Sequence, residues 1–390
     1  MKIVLLYGGQ SAEHDISIMT AQSIIKHINY QKHTLLPVYI TQANQWIKGT
    51  AIDQAPEADL PLRFNPELDA NDPEHGDLVS PCQVFNGEEV IAFPALHGPH
   101  GEDGKIQGLF ESLNVPYVGA GVLASAAGMD KIISKQLFQQ AQIPQVPFTS
   151  LTHYEWDQER AKSLTRIEGE LVYPIFVKPA NLGSSVGISC ANDREELIQA
   201  IELAFNYDRR VIVEQGVEAR EVEVAVLGND AIETSVAGEV VKSKSFYNYE
   251  EKYINNTVEL AIPADLPGEI MDKIRAYAAK AYAAIDSSGL TRVDFFVTHN
   301  MDIYINEVNT MPGFTQWSMY PSLWEATGIP YDQLLERLIQ LGLERFETYK
   351  GLKNEQWSDE SISHQWDCQS RGGSRLWFHS CPSLDYVGSL

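Results

Sequence analysis

Arg292-Val-Asp294 and Glu307-Val-Asn309-Thr310-Met311-Pro312-Gly313 are the stretches that decide the fold. Around the first, Val293, Phe295 and Val297 alternate with Arg292, Asp294 and Phe296, the period of a half-buried strand. The second strand, read as Asp302 to Asn309, puts Glu307 and Asn309 on one face. His299-Asn300-Met301 between them is short enough for a hairpin, which brings the two polar faces side by side. Oxygens of Asp, Glu and Asn gathered in this way suit Mg²⁺, which shares such ligands with substrate phosphates. Arg292 points into the same space, where developing negative charge could use it. An alternating acidic strand also fits a plain solvated face. What favours a site is that Glu307-Val-Asn309 runs straight into a rigid Pro-Gly turn.

Size and charge narrow the class. A chain of 390 residues can bury a large core and is expected to form two or three domains. An apolar fraction of 44% with 21% charged residues is ordinary for a soluble globular enzyme. The net charge of −24 argues against nucleic-acid binding, which needs a basic footprint. It leaves room for an anionic substrate at a locally basic site. Ile3 to Tyr7, before Gly8-Gly9, is too short a run for a signal peptide's apolar region or a membrane span. Cys82, Cys190, Cys368 and Cys381 show neither metal nor disulfide spacing, so a reducing, cytoplasmic location is expected.

Lys2-Ile-Val-Leu-Leu-Tyr7 reads as a buried strand entering a glycine turn, and Ser17 to Ile28 as the helix of a βα unit. Gly8-Gly9-Gln10-Ser11 lacks the G-x-G-x-x-G of a dinucleotide fingerprint. A second strand, Val90 to Leu96, leads into His97-Gly-Pro-His-Gly-Glu-Asp-Gly104, a helix at Ile106 to Leu113, and a short strand at Val115 to Val118. Ile133, Leu137 and Ala141 mark an amphipathic helix. From about Pro147 the texture turns to strands separated by glycine loops. Arg194 to Phe205, Met271 to Ile285 and Tyr331 to Thr348 read as helices. Ser243 to Asn256 is too long for a simple connector and is expected to be functional. Gln356 to Leu390 shows no helical or strand period and is expected to be a disordered or foreign extension outside the fold.

Several side chains have the chemistry of a phosphate site. Lys178 is followed by Gly183-Ser184-Ser185-Val186-Gly187, whose backbone could approach oxygens closely, although many such loops are only turns. The pattern is not a Walker A loop. Lys131 opens a helix, where a lysine is more often a surface charge. Glu214 and Glu221 end and begin adjacent strands and could flank a nucleoside, or be plain solvated carboxylates. His97 suits a loop cap as well as a catalyst. Glu13 follows the first strand's turn, where open α/β sheets place ligands.

Taken in this order, the pieces resemble the D-alanine–D-alanine ligase family of the ATP-grasp superfamily, from Lys2 to about residue 348. The pieces are Gly8-Gly9-Gln-Ser-Ala-Glu13, His97 to Gly104, Met129-Asp-Lys131, Lys178-Pro with Gly183 to Gly187, Tyr249-Glu-Glu-Lys252-Tyr253, Arg292-Val-Asp294, and Glu307 to Gly313 with Ser318. The resemblance implies an α/β ATP-grasp fold with an N-terminal Rossmann-like parallel-sheet domain (1–125), a central subdomain (126–215) and a C-terminal subdomain (216–350), with an atypical tail at 351–390. It implies ATP-dependent joining of two D-alanines through a D-alanyl phosphate, with two Mg²⁺ (or Mn²⁺) on Asp294, Glu307 and Asn309.

By the same resemblance Lys131, Lys178, Ser185, Glu214, Val217, Glu221 and Lys252 hold ATP, with Glu214 on the adenine amine and Glu221 on the ribose. Arg292 and the Gly313 N–H form an oxyanion hole, and Glu13 holds the ammonium of the first D-alanine. Ser318 and the Met319 amide hold the second substrate's carboxylate, with His97 among the substrate-binding residues. Ser184, Tyr253 and Glu13 tie the moving loops together. Tyr253 and its surrounding loop point to an amine acceptor rather than D-lactate; D-serine is the other alternative. Gln215-Gly216 departs from the family's bulkier pair. A homodimer without membrane or nucleic-acid partners is the implied state.

Overall fold

The first βα unit shows how this chain builds its layers. Lys2–Gly8 forms β1, and α1 (His14–His27) returns over it to β2 (Thr34–Ile40). Then come β3 (Trp46–Lys48), β4 (Asp77–Val79), α2 (Pro81–Val84), β5 (Val90–Pro94), α3 (Lys105–Ser112) and α4 (Val122–Met129). Strands β2, β1 and β5 run parallel, β3 and β4 add an antiparallel margin, and the order is β4-β3-β2-β1-β5. Along β1 the side chains alternate between two cores. Ile3 and Leu5 join Ile24 and Ile25 of α1, while Val4 and Leu6 join Val38 and Phe110. The strand expected at Val115 to Val118 is a single parallel bridge, Ala92 to Tyr117. Pro116 accepts from Ala92 N–H but has no N–H to return.

The computed structural model describes residues 1–85, 89–241 and 259–352. The chain divides into a unit at Met1–Glu347 and another at Thr348–Leu390. Within the first, α5 (Lys131–Gln140), β6 (Phe148–Thr152), α6 (His153–Glu170), β7 (Ile175–Pro179), β8 (Ser189–Ala191), α7 (Arg194–Phe205) and β9 (Arg210–Gln215) follow in order. They build an antiparallel sheet, β6-β9-β7-β8. Leu151, Val177, Val211 and Val213 pack against α6 and α7 on one face. Alternation then turns Phe148, Lys178, Ile212 and Glu214 to the other face.

A third sheet is built from β10 (Ala219–Gly228), β11 (Glu233–Val241), β12 (Glu259–Ala261), β13 (Gly289–Thr298) and β14 (Ile303–Asn309), in the order β12-β11-β10-β13-β14. Helix α8 (Gly268–Ala284) packs Ile274, Ala278 and Tyr282 on Val222, Val224, Val293 and Phe295, leaving the alternate residues for the opposite face. Helices α9 (Met319–Thr327) and α10 (Tyr331–Gly351) complete the described chain. No helix of the described residues is long and apolar enough to cross a membrane.

The hairpin expected from the deciding stretch is present. β13 and β14 pair antiparallel, with Arg292 opposite Asn309 and Asp294 opposite Glu307. Its register shifts between Asp294 and Phe295, because β14 carries an extra residue at Asn306. That bulge puts Asn306 beside Glu307 on the polar face, while Ile305 and Val308 stay buried. Helix α5 also forms, but its buried stripe is Lys131, Ile132, Ser134, Lys135 and Phe138, and Ile133 is exposed. Leu137 and Ala141 pack beside Phe138 against the core of the third sheet, as expected, while Lys131 and Lys135 are buried where they meet carboxylates. The loop expected at 243–256 and the tail at 356–390 lie outside the described residues.

Candidate active site

The polar faces of the second and third sheets meet across a cleft. At one end Glu214, in the middle strand of its half of the sheet, lies opposite both Phe148 and Phe176. Its Oε1 is 2.7 Å from Lys135 Nζ and its Oε2 is 2.5 Å from Lys178 Nζ. All three side chains are buried. Burial opposes the carboxylate's charge, but the two ammonium groups outweigh it and hold Glu214 down at about 2. Lys178 is likewise opposed by burial and carried upward by Glu214, Glu307 and Glu221. For Lys135 burial wins, and its pKa is lowered despite Glu214. Lys178 Nζ also donates to Asn306 Oδ1 at 3.3 Å, so it reaches from one sheet to the other.

At the other end the charges are reversed. The Arg292 guanidinium donates from Nε to Asp294 Oδ1 and from Nη2 to Asp294 Oδ2, both at 2.8 Å. The same Nε lies 2.8 Å from Glu223 Oε2 on the neighbouring strand. Burial works against the Arg292 charge, but Asp294 and Glu223 raise its pKa well above the ordinary value. Asn309 Nδ2 donates to Asp294 Oδ2 at 3.1 Å, and Lys131 Nζ lies 3.3 Å from Glu307 Oε2. Lys131 also donates to the carbonyl of Leu182, in the loop before Ser184.

Asp294, Glu307 and Asn309 offer oxygens only, from facing positions of one hairpin. That donor set fits a hard divalent cation that takes its remaining oxygens from phosphate and water. Among the described residues no three His, Cys, Asp or Glu side chains cluster as a metal site. The chain's own cations, Arg292 and Lys131, stand against the carboxylates that a metal would use.

The N-terminal sheet contributes from its C-terminal edge. Ser184 Oγ donates to Glu13 Oε1 at 2.7 Å, joining the glycine loop to the turn after β1. Gly98 has φ of 72° and faces that carboxylate: a Cβ there would stand 2.6 Å from Glu13 Oε2. His97 is buried, 3.0 Å by Nδ1 from the Met311 carbonyl and 2.9 Å by Nε2 from Thr20 Oγ1. Burial lowers its pKa although Glu13 pulls the other way. A neutral ring then donates from Nδ1 to Met311 and accepts from Thr20. Glu102, accepting from Gly98 N–H at 2.8 Å, is buried and repelled by Glu13, and its carboxyl is pushed up to about 8.

Beyond β14, Thr315 N–H donates to Ser318 Oγ at 3.1 Å. Ser318 precedes the first turn of α9, where Met319 and its neighbours point backbone N–H groups outward. A Cβ on Gly313 would come within 3.2 Å of Ser318 Oγ, so the two positions adjoin. Ser185 is exposed with φ of 59°, and Val217 is half-buried in the turn between β9 and β10. Glu221 lies two residues before Glu223 on β10. Lys252 and Tyr253 lie outside the described residues. Sequence reasoning missed Lys135, Glu223, Asn306 and Glu102. Only Glu223 had a signal, since it shares the alternation of Glu221.

Two antiparallel sheets closing on a cleft with lysines on one side and carboxylates on the other, beside an N-terminal parallel sheet, make this an ATP-grasp fold. Family models described as D-ala D-ala ligase N-terminus and C-terminus match residues 2–120 and 137–340. The chain belongs to the D-alanine–D-alanine ligase family. A D-alanine–D-alanine ligase of Enterococcus hirae is 51% identical over 353 residues, which cover 90% of this chain and 98% of that one. One from Listeria monocytogenes is 48% identical, with coverage of 90% and 98%. The solved structure of VanG D-Ala:D-Ser ligase from Enterococcus faecalis has a TM-score of 0.76 at 34% identity, covering 87% of this chain and 99% of that one. The D-alanine–D-alanine ligase from Coxiella burnetii has a TM-score of 0.74 at 32% identity, covering 90% and 97%.

Proposed function

We propose that this chain joins two D-alanines at the expense of ATP, supplying the dipeptide for peptidoglycan precursors. The observation that carries this is 51% identity to a D-alanine–D-alanine ligase over 90% of the chain, against 34% to the D-Ala:D-Ser ligase. ATP lies with its adenine at Glu214 and Val217, its ribose at Glu221, and its phosphates at Lys131, Lys178, Ser185 and, from outside the described residues, Lys252. In this reading the cleft lies between a central part (126–215) and a C-terminal part (216–350) of the chain.

In the first step an oxygen of the first D-alanine's carboxylate bonds to the γ-phosphorus as the bond to the β-phosphate oxygen breaks, giving an acyl phosphate and ADP. Glu13 holds the ammonium of this substrate, and its bond to Ser184 keeps the glycine loop over the site, excluding water. When bound, Mg²⁺ (two ions, by family analogy) supplies neutralisation of the phosphate charge from its place on Asp294, Glu307 and Asn309. In the second step the amine of the second D-alanine attacks the carbonyl carbon, and phosphate leaves. Arg292 and the Gly313 N–H receive the charge that grows on the carbonyl oxygen. Ser318 and the N-terminus of α9, opened by Met319, receive the acceptor's carboxylate. His97 holds Met311 and so the approach of the Gly313 turn. By family resemblance the chain pairs as a homodimer and works in the cytoplasm.

The test is phosphate release from ATP with D-alanine as the sole amino acid, with and without Mg²⁺. Release that requires both is expected; release indifferent to D-alanine would overturn the assignment. Offered D-alanine with D-lactate or D-serine near neutral pH, the protein is expected to make mainly D-alanyl-D-alanine.

A further inference from the structure

Lys135 is the most deeply buried cation in the cleft, with 1% of its surface exposed, yet no step of the proposed reaction uses it. Burying an ammonium is costly unless it is paired. Its pair is Glu214, at 2.7 Å, with the Phe148 ring 5.5 Å from Nζ. No other carboxylate of the described residues lies within ion-pair distance of it. Glu214 thus has two ammonium partners, which differ in what else they reach. Lys178 spans the cleft to Asn306 and stands beside the phosphate path. Lys135 rises from the buried stripe of α5, and its one ion-pair partner among the described residues is the far oxygen of Glu214.

A polyanion entering the cleft competes with Glu214 for Lys178, and a flexible ammonium follows the larger charge. Without Lys135, Glu214 would then be a buried carboxylate with nothing to hold its charge or its rotamer. We propose that Lys135 is a specificity-determining positioning residue: it keeps Glu214 an acceptor, aimed at the 6-amino group of adenine, while Lys178 serves the phosphates. The proposal rests on the nucleotide placement given above. A base with a 6-oxo group offers an acceptor where adenine offers a donor, so a charged Glu214 rejects it by leaving two acceptors face to face. Lys135 therefore acts on base choice through Glu214 and has no part in the transfer of the phosphoryl group.

The experiment compares ATP with inosine triphosphate, which carries a 6-oxo group and an N1–H where ATP carries a 6-amino group and a bare N1, for wild type, Lys135→Met, Lys135→Arg, Glu214→Gln and the Lys135→Met/Glu214→Gln pair. Lys135→Met is expected to raise KM for ATP about tenfold, as loss of a charge-assisted contact does. It should lower the ATP preference over inosine triphosphate by a similar factor, with kcat changed less than about twofold. Lys135→Arg should keep most of the preference, and the double variant should match Glu214→Gln alone, since one residue acts through the other. Unchanged KM and preference in Lys135→Met, beside a changed Glu214→Gln, would overturn the role of Lys135. Equal losses in Lys135→Arg and Lys135→Met would overturn it too, by making the role steric. If Glu214→Gln itself leaves both quantities unchanged, the placement of adenine fails instead. Should Lys135→Met not fold, the double variant, neutral on both sides, carries the test: nucleotide constants worse than those of Glu214→Gln would sink the proposal.

Discussion

At one end of the cleft a carboxylate lies between two ammonium groups; at the other a guanidinium lies between two carboxylates. Glu214 with Lys135 and Lys178 leaves an excess of positive charge in a wholly buried pocket. Arg292 and Lys131 with Asp294, Glu223 and Glu307 leave an excess of negative charge, and Glu307 keeps 31% of its side chain open to solvent. The first end is complete without a cation and can face an anionic ligand directly. Among the described residues the second is short of positive charge, which suits the proposed binding of a metal and phosphate together. In each trio one partner also reaches a further polar side chain, Lys178 to Asn306 and Asp294 to Asn309. In the proposed reaction Lys135 and Glu223 would hold the charges that Lys178 and Asp294 give up when ligands arrive.

The largest break in this comparison comes from removing the guanidinium. Arg292→Met takes away the proposed oxyanion donor and leaves Asp294 and Glu223 facing each other, buried, across the β10–β13 pair. Loss of such a donor costs about 10²–10³ in kcat. Stranding buried charge costs roughly 3–5 kcal/mol of stability. Adding Glu223→Gln should recover part of the melting temperature and none of the turnover. Steady-state phosphate release and thermal melts on both variants check this. If turnover returned with stability, Arg292 would be a structural counterion only.

A smaller break lies on the metal side. Asp294→Asn removes one charge from the proposed ligand set and also frees Arg292 from its fork. The Mg²⁺ concentration for half-maximal rate should rise at least about tenfold, while the affinity for ATP measured without metal should change little. The same substitution at the other end, Glu214→Gln, should show the reverse pattern. Equal metal dependence in both variants would erase the division of labour between the two ends.

How much of this was legible in the sequence follows from the same physics. The β13–β14 hairpin was readable because strict alternation and a short loop leave a single way to bring Asp294 and Glu307 together. Asn306 was not, because the bulge that turns it toward Lys178 breaks the period on which the reading rests. Lys135 was hidden by a sound prior: a lysine on a helix is normally solvated, and its burial depends on Glu214, almost eighty residues away in the chain, being brought within 2.7 Å. The helix carrying it was legible, with Leu137 and Ala141 on the packed side, but Ile133 is exposed and the buried lysines were hidden for the same reason. Glu13 and Ser184 lie 171 residues apart, so their 2.7 Å hydrogen bond followed only from the family resemblance.

The finest test uses two carboxyls that are buried alike and titrate far apart. Glu214 and Glu102 are 3% and 8% exposed, yet one is held at about 2 and the other at about 8. Burial pushes both upward; two ammonium groups overturn it at Glu214, whereas at Glu102 the repulsion of Glu13 adds to it and the Gly98 N–H and Arg292 only soften it. Their signs in stability are therefore opposite. Glu214, lowered by folding, stabilises above the ordinary range of about 4.3 and loses that contribution as pH falls toward 2. Glu102, raised by folding, keeps its proton longer in the native state than in the unfolded one, so stability declines from about pH 4.3 to about pH 8 and levels off beyond. In EDTA, with no metal to draw on Glu307, the melting temperature of Glu102→Gln should match wild type near pH 4, before the decline begins. It should exceed wild type by about 2 °C or more at pH 8.5. Glu214→Gln should instead melt lower than wild type throughout that range, because it gives up one partner of two buried ammonium groups. Parallel pH curves for wild type and Glu102→Gln would mean that Glu102 ionises at ordinary pH and that the negative excess at the transfer end is larger than described.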